Sequence, residues 1–102
     1  MPSIMSAMEI KNVFCPDAIE EKLARKHRVA LREVRQTLLN KPRFRFVEKG
    51  HIEGDDVYAA LGQTHGGRYL IIFFVFKTRD KTAIIISARD MTKKERKSYD
   101  RK

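Results

Sequence analysis

Apolar residues recur every three or four positions along residues 18–39, which is the spacing that one face of an α-helix produces. Arginines recur on the opposite side, so one face is predicted to pack on a core and the other to face solvent. Because neither Gly nor Pro interrupts the segment, it is predicted to form one long helix, or two with a bend near Arg28, and Asp17 is the predicted N-cap. The apolar positions are Ile19, Leu23, His27, Ala30, Val34 and Leu38, and the arginines are Arg25, Arg28, Arg32 and Arg35.

The period changes after Pro42, where polar and apolar side chains alternate as in a half-buried strand. Residues 68–77 are apolar on both faces and predict a central strand, which follows a hairpin turn at residues 64–67. Thr92 and Glu95 have the spacing of a capping box and predict the start of a last helix. Strands are predicted at residues 43–47, 56–63, 68–77 and 82–87, and the weak alternation at residues 9–14 is compatible with another short strand.

The predicted elements separate into a helical half and a strand-rich half, which favours the α+β class. The predicted fold is an N-terminal helix or helix pair packed on a three- to four-stranded antiparallel meander, followed by a short C-terminal helix. With 102 residues, of which 42% are hydrophobic, the chain fits a single domain over residues 1–102. Residues 1–9 have no clear period and are predicted to be poorly ordered.

The chain is strongly basic, with 22 Lys and Arg residues against 13 Asp and Glu residues and a formal net charge of +9. Such a charge attracts nucleic acid, an anionic membrane or an acidic protein, although it can also be a solvated surface without a specific partner. The longest apolar stretch, residues 69–76, is far shorter than the ~20 residues of a membrane-spanning helix. No signal-peptide pattern is present and Cys15 has no second cysteine to pair with, so a cytoplasmic protein without a membrane partner is predicted.

No spacing typical of a metal site or of a phosphate-binding loop occurs, and no metal or other cofactor is predicted. The candidate soft ligands stand singly, at Cys15, His27, His51 and His65. Nine basic residues and one acidic residue lie between Lys22 and Arg45, and a basic tail follows Met91, which favours polyanion binding through counterion release. The residues predicted to contact nucleic acid are Arg25, Arg32, Arg35, Lys93, Arg96 and Lys97.

A motif near the C-terminus points to a known family. Residues 85–99 read I-I-S-A-R-D-M-T-K-K-E-R-K-S-Y, which resembles the pattern I-I-S-A-R-x-x-T-x-x-E-R-x-x-Y of the BrnT family of ribonuclease toxins. The segment at residues 58–62, Gly67-Arg68 before an apolar strand, and Arg79 in the following turn are similar to the family as well. So is the pair Lys26-His27, after which Arg28 takes the place of the family's glycine.

The resemblance implies a RelE-like fold and the toxin of a toxin–antitoxin pair. Such toxins are metal-independent endoribonucleases that cleave RNA and inhibit translation. The implied protein partner is an antitoxin with a ribbon-helix-helix DNA-binding domain, and a higher-order toxin–antitoxin complex is expected.

A ribonuclease of this kind uses the 2′-OH of RNA as the nucleophile, so the protein must position it, stabilise the pentacovalent phosphate and move protons. Arg68, Arg79 and Arg89 flank predicted strands and are the candidates for phosphate stabilisation. Glu95, Tyr99 or His27 are the candidates for proton transfer. A capping box and a structural ion pair would also explain Glu95 and Arg89. The alternative function is a non-catalytic basic module that binds nucleic acid or an acidic partner protein.

Overall fold

The computed structural model describes residues 8–52 and 54–101 of the chain. Their regular elements are strands of one sheet and helices packed on both of its faces. The strands are β1 (Asn12–Phe14), β2 (Arg43–Glu48), β3 (Val57–Gln63), β4 (Tyr69–Lys77) and β5 (Thr82–Asp90). The helices are α1 (Asp17–Lys22), which continues into a π-helical turn (Leu23–His27), α2 (Leu31–Leu39) and α3 (Lys93–Asp100).

The sheet is mixed and has the order β1-β5-β4-β3-β2. Strands β2 to β5 pair antiparallel, but β1 lies parallel to β5 at the edge, with Val13 beside Ala83. The α+β prediction is confirmed, whereas the predicted three- to four-stranded antiparallel meander omitted this parallel fifth strand. The two paired strands are far apart in the sequence, so no local hydrophobic pattern reports their pairing. Strand β5 also continues to Asp90, beyond its predicted end at Ser87.

The N-terminal helical segment contains two α-helices with a break at Arg28. Arg28 has a φ of 54° and a ψ of 40°, in the left-handed region that glycine adopts most easily. Helix α2 begins three residues later, and the Glu33 side chain accepts a hydrogen bond from the backbone N–H of Ala30 at 3.0 Å. Of the two predicted alternatives, the pair of helices with a bend near Arg28 is confirmed.

The other predictions for the N-terminal region have different outcomes. Pro16 occupies the N-cap position of α1 and Asp17 is the first helical residue, so the predicted N-cap at Asp17 is wrong. Proline fits the start of a helix because its φ is fixed and it has no N–H to satisfy, and Asp17 still lies favourably near the helix dipole. The predicted lack of order at residues 1–9 falls mainly on residues 1–7, which lie outside the described residues.

The two faces of the sheet carry different layers, because alternate residues of each strand point to opposite sides. On one face, Leu70 and Phe74 of β4 belong to a buried cluster that includes Leu23 and Val34 from the helical segment. On the other face, Ile71 is buried together with Tyr99 of α3. The N-terminal helices and the C-terminal helix therefore cover opposite faces.

Helix α3 covers only one end of its face of the sheet. We call this side the α3 face, which includes Tyr69, Ile71, Phe73 and Val75 of β4 and the residues that pair with them. Phe73 and Val75 are partly exposed beyond the helix. The α3 face is thus an open sheet surface next to a basic helix, whereas the opposite face is covered by two helices.

Replacing Val34 with Asp tests this layering. Val34 lies in α2 and is 0% exposed, so an ionised carboxylate there would be buried without a partner and should lower the free energy of unfolding by about 3–5 kcal/mol. The matched control is Arg35→Asp, one residue further along the same helix at an exposed position. Urea unfolding should give a change within about 0.5 kcal/mol for the control. Equal destabilisation by both variants would contradict the assigned facing of α2.

Candidate functional site

Arg89 and Glu95 form a bidentate ion pair on the α3 face. The Nη1 and Nη2 atoms of Arg89 donate to the two carboxylate oxygens of Glu95 at 2.8 and 2.9 Å. Glu95 also accepts from the backbone N–H of Thr92 at 2.8 Å, while its own N–H donates to the Thr92 hydroxyl at 3.1 Å. The predicted capping box is therefore confirmed, and the same carboxylate fixes the Arg89 side chain.

This pairing sets the protonation of Glu95. The hydrogen bond from Arg89 lowers the pKa of the Glu95 carboxyl to about 2, against the opposing effect of burial. The bonds also raise the pKa of the Arg89 guanidinium. Glu95 is consequently ionised at neutral pH, and a carboxylate with so low a pKa is a weak general base.

A row of residues across the sheet lies next to this ion pair. Arg45, Ala59, Phe73 and Ser87 pair in register across β2, β3, β4 and β5, on the α3 face. The guanidinium of Arg89 lies over the Phe73 ring, 5.6 Å from its centroid. The row therefore combines a partly exposed ring and a hydroxyl with an arginine at each side. Arg45 did not stand out in the sequence, because a basic residue on an alternating strand is usually a solvated one.

Arg68 is the centre of a second network, at the end of the sheet where β4 begins. Its Nε and Nη2 donate to the Asp90 carboxylate at 2.7 and 3.2 Å. Its Nη1 donates to Glu33 at 3.1 Å and to the Arg28 carbonyl at 2.8 Å, and Nη2 also donates to the His27 carbonyl at 3.1 Å. All five N–H groups of the guanidinium thus have a protein acceptor. This geometry favours a structural role for Arg68.

The acidic partners of Arg68 were missed by sequence reasoning. Hydrogen bonding to Arg68 lowers the pKa of the Asp90 carboxyl, with a smaller coulombic contribution from His27. Glu33 is the one acidic residue among the nine basic residues between Lys22 and Arg45, and this isolation was the signal that it has a specific partner. Asp90 gave no comparable signal.

The other predicted catalytic residues have contacts of their own, whereas Arg89 donates to Glu95 and to the Asp90 carbonyl. Tyr99 is 7% exposed and packs edge-on against Tyr69, with ring centroids 5.9 Å apart, and burial raises the pKa of its hydroxyl. His27 ends the π-helical turn beside Arg68. Arg79 lies in the exposed turn between β4 and β5, at the far end of the sheet. The structure therefore brings Arg89 together with Glu95, and Arg68 together with the His27 backbone, but does not join these pairs with Arg79.

The six residues predicted to contact nucleic acid form two separate surfaces. Three are exposed on the helical segment that covers one face of the sheet: Arg25, Arg32 and Arg35. The other three are exposed on α3 across the sheet: Lys93, Arg96 and Lys97. Arg96 also stacks on the Tyr69 ring, with its guanidinium carbon 3.9 Å from the ring centroid.

Neither a metal cluster nor a membrane span is found in the described part of the chain. Within residues 8–52 and 54–101, no three His, Cys, Asp or Glu side chains converge as metal ligands would. In the same residues, no helix has the length and apolar character needed to cross a bilayer.

Comparison with protein-family models matches residues 17–95 to the ribonuclease toxin BrnT of type II toxin–antitoxin systems. The chain belongs to the BrnT family of ribonuclease toxins. The match begins with α1 and ends inside α3, so it includes Arg68, Arg89 and Glu95. Membership of a type II family implies an RNA substrate and a cognate antitoxin for this BrnT chain. No curated protein sequence matches the chain at a significant level.

Replacing Arg68 with Gln tests its structural role in the BrnT chain. The change leaves Asp90, Glu33 and two backbone carbonyls without their donor, so the free energy of unfolding should fall by about 2 kcal/mol. Arg79→Gln removes the same charge from an exposed turn and should change it by less than about 0.5 kcal/mol. The two variants are compared with the unmodified protein by urea unfolding. Indistinguishable midpoints would show that the Arg68 network contributes nothing to folding.

The lowered pKa of Glu95 predicts a specific pH dependence of stability. The folded-state pKa of about 2 lies below the ordinary value of 4.5, so the stabilisation is complete above pH 4.5 and is lost as the pH falls towards 2. Because Arg89 is 35% exposed, screening should limit the effect to about 1–2 kcal/mol. The difference in unfolding free energy between the protein and its Glu95→Gln variant should therefore shrink over this range. A difference that stays constant with pH would contradict the ion pair.

Proposed function

We propose that this BrnT chain is a metal-independent endoribonuclease with a RelE-like fold, which inhibits translation by cleaving RNA in the cytoplasm. We further propose that its antitoxin carries a ribbon-helix-helix DNA-binding domain and forms a higher-order complex with it. Family membership supports the ribonuclease class, the RNA substrate and the existence of an antitoxin. The observation that carries the proposed site is the fixed Arg89 guanidinium beside Phe73, on the open part of the sheet.

The proposed reaction needs little from the protein beyond positioning and charge. The 2′-oxygen of RNA forms a bond to phosphorus, the bond from phosphorus to the 5′-oxygen breaks, and a 2′,3′-cyclic phosphate and a 5′-hydroxyl result. One proton leaves the 2′-OH and one is delivered to the departing 5′-oxygen, so no metal or cofactor is required. Negative charge accumulates on the phosphate oxygens in the transition state, where a preorganised guanidinium stabilises it most.

Arg89 is the proposed phosphate-stabilising residue. Its side chain is held by two hydrogen bonds to Glu95, and its guanidinium lies over the Phe73 ring. Arg89 therefore needs little reorientation when the substrate binds. Arg68 is proposed to act as a positioning residue, because all its donors already have acceptors. Arg79 lies about 25 Å from Arg89 along the direction of β5, at ~3.3 Å per residue. The predicted role of Arg79 in phosphate stabilisation stays a prediction, and at this distance from Arg89 it would apply to a different phosphate of the RNA.

The proton-transfer residues are less constrained by the geometry. Glu95 is a weak base while it is paired with Arg89, since the pKa of its carboxyl is about 2. Burial raises the pKa of the Tyr99 hydroxyl, so this group is protonated at neutral pH and would act as an acid. His27 lies at the end of the sheet beside Arg68. All three remain candidates for proton transfer.

A non-catalytic binding module is the second candidate function. The observation that favours it is that both central arginines have carboxylate partners within the chain, as structural arginines do. The purified protein should be incubated with labelled single-stranded RNA and a chelator. We expect chelator-resistant cleavage with cyclic-phosphate ends and no cleavage of the 2′-O-methyl analogue. Intact RNA that is tightly bound would support the binding module, and cleavage abolished by chelator would contradict metal independence.

Substitution of Arg89 separates a catalytic from a structural role. Arg89→Ala should lower the cleavage rate per folded molecule by roughly 10²–10³, by analogy with the loss of an oxyanion-stabilising donor. Arg89→Lys should restore only part of the rate, since a point charge cannot make the forked contact. Thermal unfolding of each variant measures the stability lost with the ion pair and gives the folded fraction. A destabilised Arg89→Ala with a normal rate per folded molecule would remove Arg89 from the site.

A further inference from the structure

A cleft of about 360 Å³ lies between β2 and the C-terminal end of α3. Arginines line it on both sides, Arg43 and Arg45 from the strand and Arg101 from the end of the helix. Leu61, Ser98 and Tyr99 complete most of the wall, and none of the acidic residues that the structure describes lines it. None of the three arginines belongs to the sets that the sequence motifs indicated. The cleft has the composition of an anion-binding site.

Arg43 prepares the cleft for an anion. Its Nη1 atom donates to the backbone carbonyls of Ser98 and Tyr99 at 3.4 and 3.3 Å, in the last turn of α3. The carbonyl end of a helix carries partial negative charge, which would repel a bound anion. The Arg43 guanidinium covers these carbonyls and offsets their charge. Asp100, in the same turn, accepts a hydrogen bond from the Tyr69 hydroxyl at 3.3 Å and does not line the cleft.

The two remaining arginines have uncommitted guanidinium groups. Within the described ranges 8–52 and 54–101, neither Arg45 nor Arg101 forms an ion pair or a side-chain hydrogen bond. Both side chains are exposed. This distinguishes them from Arg68, whose five N–H groups all have acceptors, and from Arg89, whose Nη1 and Nη2 atoms are paired with Glu95. Two arginines facing one cleft without acidic neighbours can bind phosphate oxygens in the forked geometry that guanidinium favours.

We infer that this cleft binds a backbone phosphate of the substrate RNA, a few nucleotides along the strand from the phosphate that is cleaved. The inference rests on the proposed ribonuclease function. Arg45 lies in the same row as Phe73 and Ser87, and three strand spacings, about 14 Å, separate it from β5 and Arg89. One RNA strand crossing the α3 face would therefore contact both ends of the row. The phosphate bound in the cleft would then fix the position of the RNA along the sheet.

The floor between the cleft and Arg89 favours RNA over an acidic protein segment. The partly exposed Phe73 ring lies between Arg45 and Arg89 and offers a face on which a base can stack. An acidic peptide would use the guanidinium groups but would have no use for a ring held between them. Alternating phosphate contacts and a stacking surface are typical of single-strand binding.

The test compares two double variants that lose the same charge. R45Q/R101Q removes the two uncommitted arginines. The control K11Q/K22Q removes two exposed lysines away from the α3 face, one directly before β1 and one at the end of α1. The probe is a fluorescent 2′-O-methyl RNA oligonucleotide, which cannot be cleaved because it lacks the nucleophile. Its Kd is measured by anisotropy over a range of salt concentrations. Thermal unfolding confirms that all proteins are folded.

R45Q/R101Q should weaken RNA binding roughly tenfold or more, and the slope of log K against log salt should flatten by about 0.7, as expected for one lost phosphate contact on a single strand. K11Q/K22Q should have a much smaller effect on both quantities. If the two variants have equal effects while the unmodified protein still cleaves RNA, the inference that the cleft binds phosphate is wrong and the proposed function still stands. Loss of affinity for a labelled poly-glutamate peptide alone would assign the cleft to an acidic protein and also overturn it. An unmodified protein that neither binds nor cleaves RNA would overturn the proposed function itself.

Discussion

The guanidinium of Arg68 is the contact on which the arrangement of this BrnT domain depends. It binds the carbonyls of the linker between the two N-terminal helices, the first turn of α2 through Glu33, and the last residue of β5 through Asp90. Asp90 is directly followed by the segment that starts α3, and directly preceded by Arg89. A side chain at the beginning of β4 thus fixes the helical layer relative to the strand end that carries the proposed site.

Unequal coverage of the sheet follows from the lengths of the helices. Two helices and a π-helical turn cover one face, whereas the eight residues of α3 cover only one end of the other. The partly exposed rows beyond α3 are flanked by arginines from β2 and β5, and by the basic side chains of α3 itself. In a chain with a formal net charge of +9, these basic side chains make the open face attractive to a polyanion.

Local patterns in the sequence predicted the elements better than their pairing. The alternation at Phe44 and Phe46, the apolar run around Phe73 and the capping box at Thr92 each encode a local conformation, and each element was found. The parallel pairing of Val13 with Ala83 and the network of Arg68 with Asp90 join residues that are distant in the sequence, so no local period reports them. The motif containing Arg89 and Glu95 indicated the family, but the cleft at Arg45 and Arg101 depends on strand order and helix placement, which only the fold supplies.

We propose that RNA lies on the α3 face of the sheet. The most direct measurement is a two-dimensional NMR titration of the isotope-labelled protein with uncleavable 2′-O-methyl RNA. Binding on the α3 face should give shift changes centred on Phe73, Ser87 and Arg89 and reaching Arg45, with little change at Val34, which is buried between α2 and the opposite face of the sheet. Changes confined to Arg25, Arg32 and Arg35 on the opposite layer would contradict it.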